Sequence, residues 1–368
     1  MSELKLMKGN EALAEAAIRA GVDAYFGYPI TPQSEVIEYL MTERPEERTG
    51  MVVLQAESEV AAINMVYGAA STGKKVMTSS SSPGISLKQE GISYLAGAEL
   101  PAVIVNVVRG GPGLGTIQPS QADYFQSVKG GGHGDYKLYV LAPASVQEMS
   151  DFVADAFDIA FKYRAPVLIL SDGLIGQMME KVVLKDQVER VSNETLIKKY
   201  GSWATTGKKD RNRNIITSLD LQSEKMEARV HRLQKKYEQM ELEDLRYEKM
   251  NCDDAEYLMV AYGSSARICQ KTMELARKKG IKVGLLRPIT LFPFPKKALF
   301  KLADQVKGIL SVELSTGQMV EDVKLAVEHF GRTGGIIHTP EEVLEALEQK
   351  IINHGHFRYH KTRESSIL

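Results

Sequence analysis

The run Pro101-Ala102-Val103-Ile104-Val105-Asn106-Val107-Val108 limits most sharply what this chain can fold into. It is almost uninterrupted in apolar residues and lacks an in–out alternation. The strand it predicts must therefore be covered on both faces. Val167 to Ser171 repeats the pattern. Helical segments stand between such strands. Met7 to Gly21 has Asn10 as its expected N-cap and Gly21 as its stop, and Gln33 to Met41 follows. Ser58 to Ser71 is rich in small residues, and Ile85 to Leu95 and Ser145 to Tyr163 complete the set. Shorter strands are predicted at Asp23 to Phe26, at Lys75 to Thr78 and, as a buried strand, at Met51 to Leu54. Strands and helices alternating in this way give an α/β fold with a parallel sheet sandwiched between helices.

The pattern changes after Val183. Thr195 to Arg213 is polar and holds the only tryptophan, Trp203; Leu219 to Met250 is highly charged. Met226, Val230, Leu233, Tyr237 and Met240 recur at spacings of three and four, so a connector helix with one apolar stripe is expected. That stripe either packs on a neighbour within the chain or docks a partner. A second α/β unit follows, with strands at Tyr257 to Tyr262, Lys282 to Leu286 and Ile309 to Glu313. Its helices are expected at Ala266 to Lys279 and Met319 to Phe330. The division is thus 1–185, a connector over 186–254, a second domain over 255–353, and a basic tail over 354–368, read as an arm.

A formal net charge of −1 over 368 residues argues against a nucleic-acid partner. No apolar run is long enough to span a bilayer, and the charged start, Met1 to Asn10, has no apolar signal core. The cytoplasm is the expected location. Cys252 and Cys269 are the only cysteines. Two thiols cannot ligate an iron–sulfur cubane, so any such cluster must sit on another chain.

Four segments fall where strands end in the first domain, the rim at which open α/β sheets bind ligands. Tyr28-Pro29-Ile30-Thr31-Pro32 can be a helix start, with Thr31 as cap and Pro32 in the first turn, or an anion site. Gln55-Ala56-Glu57-Ser58-Glu59 puts two carboxylates at a strand-to-helix junction, where acids also serve as ordinary dipole partners. Ser79-Ser80-Ser81-Ser82-Pro83-Gly84 is a turn without the Lys of a phosphate-binding P-loop. Arg109-Gly110-Gly111-Pro112-Gly113-Leu114-Gly115 offers a guanidinium able to clamp a carboxylate. His133, in a Gly-rich loop, lacks companions for a metal site.

Together, Met7-Lys8-Gly9-Asn10-Glu11-Ala12, Gly27 to Pro32, Gln55 to Glu59 and Arg109 to Pro112 resemble, in order and spacing, the alpha-type subunits of 2-oxoacid:ferredoxin oxidoreductases. The likeness is close from Leu6 to Met179 and looser over Tyr257 to Gly317. Over the first part it is most similar to the branched-chain (3-methyl-2-oxobutanoate, or ketoisovalerate) type. The resemblance implies a thiamine-diphosphate pyrimidine-binding domain plus a transketolase C-terminal-like domain, joined by a helical connector. It implies oxidative decarboxylation of a 2-oxoacid to an acyl-CoA, with electrons passed to ferredoxin. Glu59 matches the family's glutamate that relays protons at the aminopyrimidine; Tyr28, Pro29, Ser82 and Gly84 would line the cofactor; Thr31 and Arg109 match residues that meet the substrate carboxylate. The Gly-Asp-Gly run that holds diphosphate and Mg²⁺ in thiamine enzymes does not occur here. A beta-type subunit would supply that half of the site. The beta-type, gamma-type and ferredoxin-like subunits would carry Mg²⁺ and the iron–sulfur clusters between them. Two other readings stand beside this one: a family member acting on 2-oxoglutarate or an aryl pyruvate, and a non-catalytic scaffold. A 2-oxoglutarate pocket would need a second cation, for which Lys88, Lys129 and His133 are the nearest supplies.

Overall fold

The computed structural model describes residues 3–209, 211–323, 327–331 and 337–352; the expected basic tail lies outside them. The chain opens with β1 (Glu3–Lys8) and α1 (Gly9–Arg19). It continues through β2 (Ala24–Gly27), α2 (Ser34–Glu43), the single turn α3 (Pro45–Arg48), β3 (Val52–Gln55), α4 (Glu59–Ala70), β4 (Val76–Ser80), α5 (Ser82–Gly97) and β5 (Ala102–Val108). Next come α6 (Tyr124–Val128), β6 (Tyr139–Leu141), α7 (Val146–Tyr163), β7 (Pro166–Asp172), α8 (Gly173–Gln177) and β8 (Met179–Leu184). The remainder supplies α9 (Asn193–Tyr200), α10 (Ser223–Glu243), β9 (Tyr247–Met250), β10 (Tyr257–Val260), α11 (Gly263–Lys278) and β11 (Val283–Pro288). It ends with β12 (Thr290–Phe292), α12 (Lys296–Ala303), β13 (Gly308–Glu313), α13 (Val320–Val323), β14 (Val327–Gly331) and α14 (Pro340–Leu347).

Every residue of β5 and β7 is buried, as their solid apolar sequence requires. They sit inside a seven-stranded sheet of order β12-β6-β7-β5-β4-β2-β3, parallel except for β12. A second sheet has the order β14-β13-β10-β11-β9, parallel except for β9. Buried polar bridges tie the two together. Gln121 Nε2 donates to Tyr262 O at 2.9 Å, Ser264 Oγ to Asp172 Oδ2 at 2.7 Å, and Tyr124 Oη to Asp322 Oδ2 at 2.7 Å. Arg287, buried, is clasped by Glu148 from α7 and Glu248 from β9.

Several expectations are corrected. Met7 and Lys8 are not helical: they pair antiparallel with Glu180 and Met179, so α1 starts at Gly9, with Lys8 rather than Asn10 at the cap position. β3 is a strand but not a buried one. It is the sheet's edge, with Val52 50% and Leu54 38% exposed; periodicity cannot tell an apolar edge from a central strand. Of the helix expected over Met319 to Phe330, the described residues hold only Val320–Val323 as helix, and Val327–Gly331 pairs with β13 as a strand instead. The three-residue strands β6 and β12 were too short to signal themselves. Part of the connector, β9, is built into the second sheet, and β12 crosses to the first. On α10, Leu233, Tyr237 and Met240 are buried, whereas Met226 is exposed. Both cysteines are buried free thiols whose pKa burial pushes up. Among the described residues, no helix is long and apolar enough to cross a membrane.

Candidate functional site

β2 is flanked by β3 on one side and β4 on the other, so the chain reverses direction across the sheet between them. A crevice opens at such a switch point, beyond the strands' carboxyl ends. The four segments singled out by sequence end there: Tyr28–Pro32 after β2, Gln55–Glu59 after β3, Ser81–Gly84 after β4, and Arg109–Gly115 after β5.

Glu59 is the first residue of α4, with Ser58 capping by accepting from Ala61 N. Glu59 is 6% exposed, whereas Glu57 faces solvent. Its carboxylate abuts the backbone of α5 at Gly84. A Cβ there would lie 2.1 Å from Ser80 Oγ and 2.6 Å from Glu59 Oε1. Among the described residues the carboxylate has no hydrogen-bond partner, and the buried Ser80 and Ser81 hydroxyls have none either. Buried polar atoms are nearly always satisfied in a finished site. Gly84 lets the Ser80 hydroxyl and the Glu59 carboxylate both close on the α5 backbone, so a polar pair without protein partners meets at the carboxyl end of β4. Ser79 and Ser80 belong to β4 and α5 begins at Ser82, so the expected six-residue turn shrinks to Ser81.

The Tyr28–Pro32 loop is held from three sides. Asn10 Nδ2 and Gln177 Nε2 donate to Pro32 O at 2.7 and 2.9 Å, and Gln33 Nε2 donates to Tyr28 O at 3.0 Å. Arg109 Nη1 donates to Thr31 O at 2.9 Å. Tyr28 and Pro29 are half-buried along the crevice. α2 begins at Ser34, so Thr31 does not cap it and Pro32 is not in its first turn; the Thr31 side chain is exposed. Arg109 is 8% exposed and spans two loops, its Nη2 donating to Leu114 O at 3.1 Å while its Nε is buried without a partner. Part of its fork is thus already engaged in holding Thr31 against the Gly-rich loop. The Ser82 hydroxyl is likewise engaged, exchanging hydrogen bonds with the Arg109 backbone. Burial pushes the nearby Asp123 carboxyl up, partly offset by bonds from Ser82 and Asn106.

The residues proposed for a second substrate cation are not gathered at this crevice. Lys129 is paired with Asp322 at 2.5 Å, and His133 is exposed, edge-on to Tyr94. Lys88 is wholly buried beneath β4. Sequence reasoning missed the network behind the crevice. Ser79 Oγ lies 2.7 Å from Tyr25 Oη and donates to Gln33 Oε1 at 2.6 Å. Asn10 carries a signal, a polar residue on an otherwise apolar helix face; in place of the expected cap it reaches Pro32 O and Glu35.

Two family descriptions match the chain. "Pyruvate flavodoxin/ferredoxin oxidoreductase, thiamine diP-bdg" covers residues 15–248, and "Pyruvate:ferredoxin oxidoreductase core domain II" covers 255–347. The chain is 50% identical to ketoisovalerate oxidoreductase subunit VorB of Methanothermobacter thermautotrophicus, over 94% of this chain and 97% of that protein. The solved 2-oxoglutarate:ferredoxin oxidoreductase from Magnetococcus marinus, with 2-oxoglutarate, coenzyme A and succinyl-CoA bound, superposes with a TM-score of 0.84 at 26% identity. That match covers 95% of this chain and 65% of the longer one. A split-gene transketolase, an inactive β4 tetramer, shares the fold with a TM-score of 0.58 at 13% identity, covering 94% of this chain and 98% of that one.

Proposed function

Because this chain belongs to the 2-oxoacid:ferredoxin oxidoreductases as an alpha-type subunit, we propose that it forms the pyrimidine side of a thiamine-diphosphate site and acts on a branched-chain 2-oxoacid, 3-methyl-2-oxobutanoate. The observation that carries the site is the buried Glu59 carboxylate, open to a ligand at the switch point. When bound, thiamine diphosphate supplies the nucleophilic carbon and the electron sink that decarboxylation needs. Glu59 holds and moves a proton at the edge of the aminopyrimidine, with Ser80, Ser81 and Gly84 shaping its seat and Tyr28 and Pro29 walling it. The Thr31 hydroxyl and the remaining N–H groups of Arg109 orient the substrate carboxylate. Mg²⁺, the diphosphate site and the iron–sulfur clusters belong to partner subunits of beta, gamma and ferredoxin-like type, with coenzyme A and ferredoxin as co-substrates.

The branched-chain assignment is supported by the name of the VorB relative and by the lack of a second free cation at the crevice among the described residues. An aliphatic tail needs only an apolar wall, whereas a second carboxylate needs a partner. The assembled enzyme, assayed with coenzyme A and ferredoxin against a panel of 2-oxoacids, is expected to give its highest kcat/KM with 3-methyl-2-oxobutanoate. A higher value for 2-oxoglutarate overturns the assignment. Glu59→Gln is expected to slow every accepted substrate by about 10²–10⁴; near-normal turnover overturns the role of Glu59.

A further inference from the structure

At the amino-terminal end of the first sheet, opposite the crevice, the connector folds over the strands and leaves a cavity of about 250 Å³. One wall is Glu99, between α5 and β5, with Arg164, which joins α7 to β7. The connector supplies the others: Trp203 after α9, the loop at Asn214, and α10 with Arg229 and Arg232. Asn214 pins this side, its Nδ2 donating to Gly201 O at 2.8 Å and to Ala204 O at 2.9 Å. The length of β5, roughly 20 Å at about 3.3 Å per residue, separates the cavity from the crevice. A ligand bound here takes no part in bond making there.

Three guanidiniums and one carboxylate line the cavity. The carboxylate, Glu99, is already neutralised: Arg232 Nη2 and Nε donate to its Oε1 at 2.6 and 3.0 Å, and Lys236 Nζ donates to its Oε2 at 2.7 Å. Arg229 Nη1 donates to neutral acceptors, Ser218 O at 2.8 Å and Thr217 O at 3.3 Å, with Asp220 Oδ2 3.7 Å from its Nη2. Arg164 has no such partner. Among the described residues its guanidinium makes no hydrogen bond or ion pair, and its Nε is buried. It is nonetheless held in place, its Cζ 4.5 Å from the centre of the Trp203 ring, which packs in a row with Tyr200 and Phe161. Stacking occupies the face of a guanidinium and leaves the in-plane N–H groups to donate. The four cations therefore face two carboxylates, a surplus of two positive charges around one cavity. A partly enclosed charge is costly unless a counter-ion joins it.

We propose that this cavity binds a small phosphate monoester, clasped by Arg164, Arg229 and Arg232. Such a group carries about −1.5 to −2 charges at pH 7 and three acceptor oxygens, which matches the charge surplus and the forked donors. The volume falls below the roughly 300–1,000 Å³ of sites for drug-sized ligands, so the carrier of the phosphate is small. Bound there, the dianion joins α10 and the Trp203 segment to the ends of β5 and β7. The charged connector then has a role of its own: it closes a second site far from the first. The site stands independently of how the crevice is read.

Trp203, the only tryptophan of the chain, reports on the site through its stack with Arg164. The test follows its emission while the full chain, at constant ionic strength, is titrated with inorganic phosphate, with glycerol 3-phosphate and with succinate, a dicarboxylate of similar charge. The expected result is a saturable change with both phosphates, half-complete below about 1 mM, and a weaker response to succinate. Arg164→Gln and, separately, Arg229→Gln are expected to weaken binding roughly 10–150-fold, the loss of one hydrogen bond between charged groups. Lys225→Gln removes an exposed charge from α10 outside the cavity and is expected to change nothing. Absence of a saturable change with either phosphate overturns the proposal. So does tighter binding of succinate, or an equal loss in Lys225→Gln, which would reduce the site to a general basic surface. The phosphate titrations are then repeated on the chain assembled with its partner subunits. Binding retained there supports a small-molecule site; binding abolished means that an acidic partner surface covers the arginines, and overturns it. Should an arginine variant fail to fold, the wild-type titrations decide alone.

Discussion

Gly84→Ala separates the chemistry of the crevice from its packing. Gly84 is in the first turn of α5, where alanine gains over glycine at most the helix-interior value of about 1 kcal/mol. Here the added methyl would lie 2.1 Å from Ser80 Oγ, 2.6 Å from Glu59 Oε1 and 3.0 Å from Glu59 Cγ. The Ser80 hydroxyl has no hydrogen bond to lose and can rotate away. The Glu59 side chain must then retreat by several tenths of an ångström. Overpacking of this kind costs about 1–3 kcal/mol, so the helix-propensity gain is cancelled and a net loss of roughly 0–2 kcal/mol follows. The rate should suffer more, because misplacing a reacting group by about 1 Å can cost on the order of 10²-fold. Gly91→Ala is the control: on the same helix, it would press on Ile63 but on no carboxylate. Urea unfolding and turnover of the assembled enzyme should show comparable stability losses in the two variants, with the large rate loss confined to Gly84→Ala. A Gly84→Ala enzyme at near wild-type rate, or an equal rate loss in Gly91→Ala, would refute the reasoning.

Thr31→Ala is expected to leave stability unchanged, because the side chain is exposed, and to raise KM by the loss of a hydrogen bond to a charged group, about 1.5–3 kcal/mol; unchanged kinetics would remove Thr31 from the substrate site. Arg109→Lys should fall short of wild-type kcat/KM, since a single ammonium cannot bridge the Thr31 and Leu114 carbonyls as the planar fork does; full activity would make the fork dispensable. For Lys88, a folded pKa of about 7 against an unfolded value of 10.5 means that its burial penalty is fully present below pH 7 and is relieved as pH rises to 10.5. Denaturant titrations should therefore show Lys88→Met gaining on wild type by up to about 5 kcal/mol more at pH 6 than at pH 10; a pH-independent difference would contradict the buried charge.

The central strands and the order of the crevice segments were legible in the sequence because solid apolar runs and Gly/Pro/Ser turns are local signals. β5 and β7 show this most clearly. What was not legible depends on contacts distant in sequence. Met7 and Lys8 become strand only because residues more than 170 positions away pair with them. β3 has the composition of a core strand yet stands at an edge, since composition does not record how many neighbours a strand has. At the proposed site, Glu59, Thr31 and Arg109 are singled out by the family resemblance of their motifs, and their positions at the strand ends follow from the element order. The engagement of Arg109 with two loop carbonyls could not be read in this way, and neither could the position of Lys88, which looked like a rim cation until helix register placed it inside.

We propose that this chain holds one half of a cofactor site, the pyrimidine half, and depends on a partner for the other. Calorimetric titration of thiamine diphosphate with Mg²⁺ tests it directly, first into the purified chain and then into the chain mixed with a beta-type subunit. The diphosphate carries most of the cofactor's charge and leans on Mg²⁺ and its carboxylate ligands, which the missing Gly-Asp-Gly run does not provide here. The predicted result is no measurable heat from the chain alone and clear binding once the partner is present, abolished together with turnover in Glu59→Gln. Binding on the order of micromolar by the single chain, near −8 kcal/mol, would contradict the claim.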